Sequence, residues 1–244
     1  MAQSYFIWNG KDSRSMGVIM RRAAPLIRPE ERVEHMTVPG YSGDLTLLQG
    51  QDIYNSYIQT VEISVREAWR VREVFRWLRG SGKVIFSSDP DKQQDARIIG
   101  AVTLERVSRN LDHWAGTVQF YCQPLKERTY PVTRTVTNAS APAPASETLM
   151  VDGDVPTLPR IVLTPSLTGV VVLSINGKGL AISNMTEDEA VVIDCQTNEV
   201  TSLDGTTGLT IYALGEFPTL VPGINTITGT GWASLTIDPR ERFL

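Results

Sequence analysis

Histidine and cysteine are scarce in this chain, with two of each among 244 residues. His35 lies in a highly charged extended segment, and His113 lies in an Asn-Leu-Asp-His-Trp turn. Neither is near a Gly-x-Ser-x-Gly pattern, so the nucleophile and base of a hydrolytic triad are not assembled in the sequence. Cys122 and Cys195 stand alone in different parts of the chain. They build no disulfide framework and no thiolate zinc site, and each reads as a small buried apolar residue. No apolar run approaches the ~20 residues that span a bilayer. The first residues turn polar by Asn9, without the apolar core of a secretory leader, so the expectation is a chain made and folded in the cytoplasm.

Acidic residues are more numerous but badly spaced for chemistry. Glu187-Asp188-Glu189 is consecutive, whereas calcium loops place ligands at alternate positions. Asp152-Gly153-Asp154 alternates, but no bidentate glutamate follows at the right distance. A glycosidase needs two carboxylates across a cleft, and no aromatic-rich lining accompanies any pair of acids. The expectation is a protein that is not an enzyme, with no catalytic residues, metal or cofactor.

What the chain does have is turns, short strands and an uneven charge. There are 19 glycines and 14 prolines. Residues 1–140 hold 19 Lys+Arg and 15 Asp+Glu, net +4, and residues 141–244 hold 4 and 12, net −8. The asymmetry points to two domains with different surfaces. Tyr5-Phe6-Ile7-Trp8 leads into Asn9-Gly10, a hairpin turn signal. Strands are predicted at 16–20, 58–65, 84–86, 96–104 and 116–122, with residues 28–50 read as a turn or extended loop around Pro39, Gly40 and Gly43. A single helix is predicted over 66–79. Ser64 and Glu67 have capping-box spacing, Ala68, Val71, Phe75 and Leu78 form an apolar stripe, and Gly80-Ser81-Gly82 ends it.

Residues 135–150 change composition to small residues and two Ala-Pro pairs, which predicts a linker. The domains are then 1–134 and 151–244. The second shows only short strands at 160–164, 170–175, 180–183, 190–194, 199–203, 209–214, 225–228 and 233–237. Turn signals separate them, as in a β-sandwich or jelly roll. The fold class is mainly β, a β-rich N-terminal domain with one helix followed by a C-terminal sandwich.

The predicted helix carries Arg66, Arg70, Arg72, Arg76 and Arg79 against Glu67 and Glu73. Such a face can contact nucleic acid, lie solvated with helical ion pairs, or meet a neighbouring subunit. The pI near 5.3 speaks against nucleic acid. Trp69 and Trp77 lie outside the apolar stripe, and tryptophan with arginine is enriched at interfaces. A second core face is the other reading of these tryptophans.

Several motifs occur in order along the chain. They are Trp8-Asn9-Gly10, Met16-Gly17-Val18, Arg28-Pro29-x-x-Arg32, Val38-Pro39-Gly40-x-Ser42-Gly43, Trp77-Leu78-x-Gly80 and Val84-Ile85-Phe86-Ser87. In the second half follow Gly153-Asp154 with Pro159, Ile175-Asn176-Gly177, Ile193-Asp194-Cys195, Phe217-Pro218-x-Leu220-x-Pro222-Gly223-x-Asn225, and Pro239-Arg240-x-Arg242-x-Leu244. With these motifs the sequence resembles the distal tail proteins of long-tailed, non-contractile bacteriophages, over nearly its whole length. Glu241 stands where the terminal motif usually has an aromatic. The resemblance implies a homo-hexameric ring made by the N-terminal domain at the far end of the tail tube, in the virion. The C-terminal domain then resembles a galectin-like sandwich. Implied partners are further copies of the chain, the tail tube protein, the tail-tip hub and receptor-binding proteins, with no membrane and no specific nucleic acid. Arg66, Arg70, Arg76, Trp69 and Trp77 are the candidate ring-interface residues. The alternative is a carbohydrate-binding module, for which 141–244 offers only Tyr212, Phe217, Trp232 and Phe243 as aromatics.

Overall fold

The computed structural model describes residues 4–107 and 112–244. Two compact units divide the chain, one of Met1–Thr129 with Leu244 and one of Tyr130–Phe243.

The first unit is built on one antiparallel sheet. Its elements in chain order are β1 (Phe6–Trp8), β2 (Lys11–Asp12), β3 (Val18–Met20), β4 (Val33–Thr37), β5 (Asp44–Leu48), β6 (Tyr57–Val65), α1 (Ala68–Trp77), β7 (Ser81–Phe86), β8 (Lys92–Arg106) and β9 (Trp114–Arg128). The sheet runs β2-β1-β7-β8-β9-β6-β3, while β4 and β5 form a separate two-stranded ribbon. The Asn9-Gly10 turn joins β1 to β2 as expected, both residues having positive φ (49° and 77°), which a two-residue hairpin requires. Alternation along β6 turns Val61, Ile63 and Val65 inward, and Val118, Phe120 and Cys122 of β9 are buried in the same core, with Val118 directly opposite Val61. Phe6, Trp8, Val84 and Val74 complete this core.

Two expectations change here. Residues 28–50 are not merely a loop, since Val33 pairs Leu48 and Thr37 pairs Asp44 around the Pro39–Gly43 turn. The helix starts at Ala68 without a capping box. Its N-cap Glu67 makes no side-chain capping bond, and the first free N–H, of Ala68, donates instead to Asp112 Oδ2 at 2.7 Å. A carboxylate there satisfies an orphan donor and suits the positive end of the helix. Ser64 is taken by the sheet as a buried position of β6. Of the expected Asn110–Trp114 turn, Asn110 and Leu111 lie outside the described residues.

In the second unit the elements are β10 (Arg134–Thr137), β11 (Ala145–Val151), β12 (Arg160–Pro165), β13 (Gly169–Ile175), β14 (Lys178–Met185), β15 (Val191–Asp194), β16 (Glu199–Ser202), a 3-10 turn (Thr210–Tyr212), β17 (Ala213–Gly215), β18 (Gly223–Thr230), β19 (Trp232–Asp238) and β20 (Arg242–Phe243). Two five-stranded antiparallel sheets, β10-β19-β12-β15-β16 and β11-β18-β13-β14-β17, share one core. Ile161, Leu163 and Leu235 come from the first sheet, and Leu173, Leu180 and Ile227 from the second. This is the sandwich read from the strand spacing.

The expected linker at 135–150 is a correction. It supplies β10, paired with β19, and β11, paired with β18. The physical reason is that each strand needs only one or two inward apolar residues, Val136 in β10 and Leu149 with Val151 in β11. Threonine and serine suit the outward positions, and the prolines fall in the turn between. The expected strand at 209–214 is instead the 3-10 turn followed by short β17. Tyr212 N donates to Leu209 O and turns the chain before it can pair.

Candidate interaction surface

The helix α1 lies on the first unit with Val74 and Leu78 buried and with Val71 and Trp77 packed against the core. The inward stripe is therefore Val71, Val74, Trp77 and Leu78. Of the stripe expected from spacing, Ala68 is exposed and Phe75 is 41% exposed. Trp77 is a correction among the candidate interface residues. Its ring stacks on Phe6 at 5.4 Å between centroids and 6° between planes, and its Nε1 donates to Trp8 O at 3.2 Å. An indole with its face and its donor both engaged in the core is a packing residue. Trp69 points the other way and is 67% exposed.

The arginines differ as much as the tryptophans. Arg70 Nε donates to Glu67 Oε2 at 2.6 Å, its Nη1 donates to Ser15 O at 3.1 Å, and its guanidinium lies 4.6 Å over the Trp69 ring. This fixes the side chain against the β2–β3 connection. Gly17 makes room for it, since a Cβ there would sit 2.7 Å from Arg70 Cδ on a backbone with φ of +69°. Arg66 lines an open hollow of about 230 Å³ with Arg14, Glu67 and the Gly17–Ile19 backbone. Arg14 is itself held by Asp12, whose carboxyl its side-chain hydrogen bonds keep below the ordinary carboxylate range. Arg76 is exposed in the last turn. Of the five candidates, Trp69, Arg66 and Arg76 thus offer free surface, Arg70 is a partly exposed brace, and Trp77 is core.

The surface that sequence reasoning missed is the β4–β5 ribbon. All five residues of β5 and four of the five of β4 are exposed. Its register pairs Met36 with Leu45 and Glu34 with Leu47, which places Met36, Leu45 and Leu47 on one face. They are 47%, 48% and 39% exposed. Tyr41 at the tip is 68% exposed. The opposite face carries His35, which meets Thr46 Oγ1 at 3.2 Å, and Thr37, which donates to Asp44 Oδ1 at 2.9 Å. At the base, Arg32 N donates to Ile53 O and Asn55 N to Glu30 O. A free two-stranded ribbon is marginal in water, so an apolar face on one marks a contact surface. The signal was legible as Met-x-Val before the Pro-Gly turn and Leu-x-Leu after it.

In the second unit no aromatic platform for a sugar ring emerges from the four candidates. Trp232 is fully buried, Phe243 is buried, Phe217 packs against the core, and Tyr212 alone is exposed, by about a third. Cys195 there and Cys122 in the first unit are both buried, and burial pushes both thiols up to about 12.

Comparison with known proteins gives no match to a family model and none to a curated protein. Among solved structures, the chain is similar to the crystal structure of the Dit protein of phage SPP1, a paradigm of the hub adsorption apparatus in phages that infect Gram-positive bacteria. The match covers 100% of both chains at a TM-score of 0.78 and 18% identity. The two proteins share a fold over their full lengths, both units included.

Proposed function

We propose that the chain is a structural protein of a bacteriophage tail, forming a homo-hexameric ring at the distal end of the tail tube and joining the tube to the tail-tip hub and host-recognition proteins. The observation that carries this reading is the full-length likeness to the SPP1 Dit fold, joined to the order of motifs along the sequence. The reading assigns the chain no catalytic step, cofactor or metal, and it locates the protein in the virion after assembly in the host cytoplasm.

The exposed surfaces of the first unit suit a ring. A closed ring needs two different faces that meet. One is the β4–β5 ribbon with Met36, Leu45 and Leu47, flanked by Glu30, Glu31 and Glu34. The other is the outward side of α1, with Trp69, Phe75 and Arg76. Apolar side chains on both and opposite charges around them make the pair complementary. The neighbour's ribbon laid against this helix would cover the apolar face that the single chain leaves in water.

The test is the native mass of the purified chain by light scattering, followed by negative-stain imaging. Six copies in a ring with a central opening is the expected result. A protomer that stays monomeric at high concentration and in the presence of its tail tube protein would overturn the ring.

A further inference from the structure

At one end of the first unit's sheet the inward face of β6 turns polar. Along β6 the inward residues run Val65, Ile63 and Val61, and then Gln59 and Tyr57. Gln94 of β8 and Lys126 of β9 are buried beside them, at 3% and 9% exposure. These residues surround a small cavity, lined also by Asp89, in which the space open to the centre of a water-sized molecule is about 20 Å³.

Most polar groups of this cluster satisfy one another. The Tyr57 hydroxyl and the Gln94 amide meet at 2.9 to 3.1 Å, and Gln94 Nε2 also donates to Gln123 O. The Asp89 carboxylate accepts from Lys92 Nζ at 2.9 Å and from Lys126 Nζ at 3.4 Å. Gln59 is the exception. The residue is 2% exposed, and its Nε2 finds no acceptor among the protein atoms. A side-chain amide nitrogen carries two donors, and native interiors leave very few such groups unpaired. The nearby cavity exceeds the roughly 10–15 Å³ that one water needs, and it is far too small for an organic ligand. Its lining supplies further polar partners, and its two lysines are met by two carboxylates, Lys126 by Asp89 and Lys92 by Asp89 and by Asp91 at 3.6 Å, which favours a neutral occupant over an anion.

We infer that this cavity is a binding site for a single water molecule, which accepts a hydrogen bond from Gln59 Nε2 and is held by the surrounding polar groups. The water is then an integral part of the end of the sheet, completing a polar plug where the apolar core stops. Nothing in this depends on the oligomeric state.

The test is a crystal structure of the full chain, grown with sodium bromide, at a resolution that shows ordered water. The expected result is a fully occupied peak within about 3.2 Å of Gln59 Nε2 with no anomalous bromine signal. A bromine signal at that position would replace the water with an anion and overturn the proposal. So would an unoccupied cavity with Gln59 turned onto a protein carbonyl. Gln59→Met removes the donor while keeping the side-chain length, and the same crystals of that variant should lose the peak. A peak that stays in place in Gln59→Met would show that Gln59 is not its anchor.

Discussion

Glu241 is buried against Arg134. Its carboxylate accepts from Arg134 Nη2 at 2.9 Å and from the Asp152 N–H at 2.9 Å, and 1% of its side chain is exposed. The carboxylate ties the end of the second unit to the start of β10 and the end of β11. Removing Glu241 leaves Arg134 only the exposed Asp152 carboxylate, which its Nη2 also meets at 2.9 Å, and leaves the Asp152 N–H without its acceptor. Glu241→Ala is expected to cost about 1–3 kcal/mol by urea denaturation. Arg134→Met with Glu241→Leu, which removes both charges together, should recover much of that loss. A cost below about 1 kcal/mol for the single change would show that the pair is not holding this end.

A second pair in the same unit gives a pH signature. Arg240 Nη1 and Nη2 donate to the two oxygens of Asp194 at 2.8 and 2.7 Å. The Arg240 side-chain hydrogen bonds hold the Asp194 carboxyl below its ordinary value of 3.8. A group whose folded pKa is depressed contributes stability that is fully present above its unfolded pKa and is lost as pH falls through the folded one. The loss therefore begins near pH 4 and deepens below it. Asp194→Asn should destabilise the protein at pH 7 by on the order of 1 kcal/mol, and the gap from the parent should close as denaturation is repeated down to pH 2.5. A gap that is constant with pH would assign the effect to shape and not to charge.

How much of this was legible in the sequence differs from element to element. Strand spacing and the Asn9-Gly10 turn were readable because a hairpin and a half-buried strand write local, periodic patterns. The sandwich followed from the same signals. β10 and β11 were not, because a strand that contributes only Val136, or Leu149 and Val151, to a core looks like a Ser/Thr/Pro linker until its partner strands β19 and β18 are known. The helix was placed to within two residues at either end, but its inward face was not. Trp77 and Ala68 swap roles relative to the spacing because Phe6 offers a ring to stack on, a fact that lives in a strand some seventy residues earlier. The cap from Asp112 is equally invisible, since it crosses 44 positions. The interaction surface was half legible. Arginine and tryptophan on a helix flagged the right element, but which of them reach the surface depended on the packing.

The two tryptophans of α1 separate packing from contact. Trp77→Ala removes a ring stacked on Phe6 and should cost about 3–5 kcal/mol, as large-to-small core changes do, seen as a fall in melting temperature. Trp69→Ala removes a side chain that is 67% exposed, so its effect on the stability of the protomer should stay within about 0.5 kcal/mol. On the proposed ring, however, Trp69→Ala should lower the native mass at dilute concentration while leaving the circular dichroism spectrum unchanged. Equal losses of stability for both variants would mean that the exposed indole is doing a structural task in the protomer. Arg70→Glu is the wrong probe for the same purpose, since Arg70 braces Glu67 and the Ser15 carbonyl and its loss would disturb the fold as well as any contact.

The ribbon gives the sharpest separation of fold from assembly. Met36 and Leu45 face each other across β4 and β5, both about half exposed, and neither belongs to the buried core of the first unit. Replacing both with aspartate therefore removes no core contact, and cross-strand like charges weaken only the ribbon itself. The variant Met36→Asp with Leu45→Asp should melt within a few degrees of the parent and keep its strand signal. On the proposed ring, its native mass should fall from that of a ring to that of a protomer, because two carboxylates would have to be desolvated against the neighbour's Trp69 and Phe75. Charge alone does not explain the expected result if Met36→Ser with Leu45→Ser, which is neutral, weakens assembly to a lesser degree. If the aspartate variant assembled as well as the parent, the ribbon would not lie in the proposed ring contact, and the apolar face of Met36, Leu45 and Leu47 would have to serve another partner.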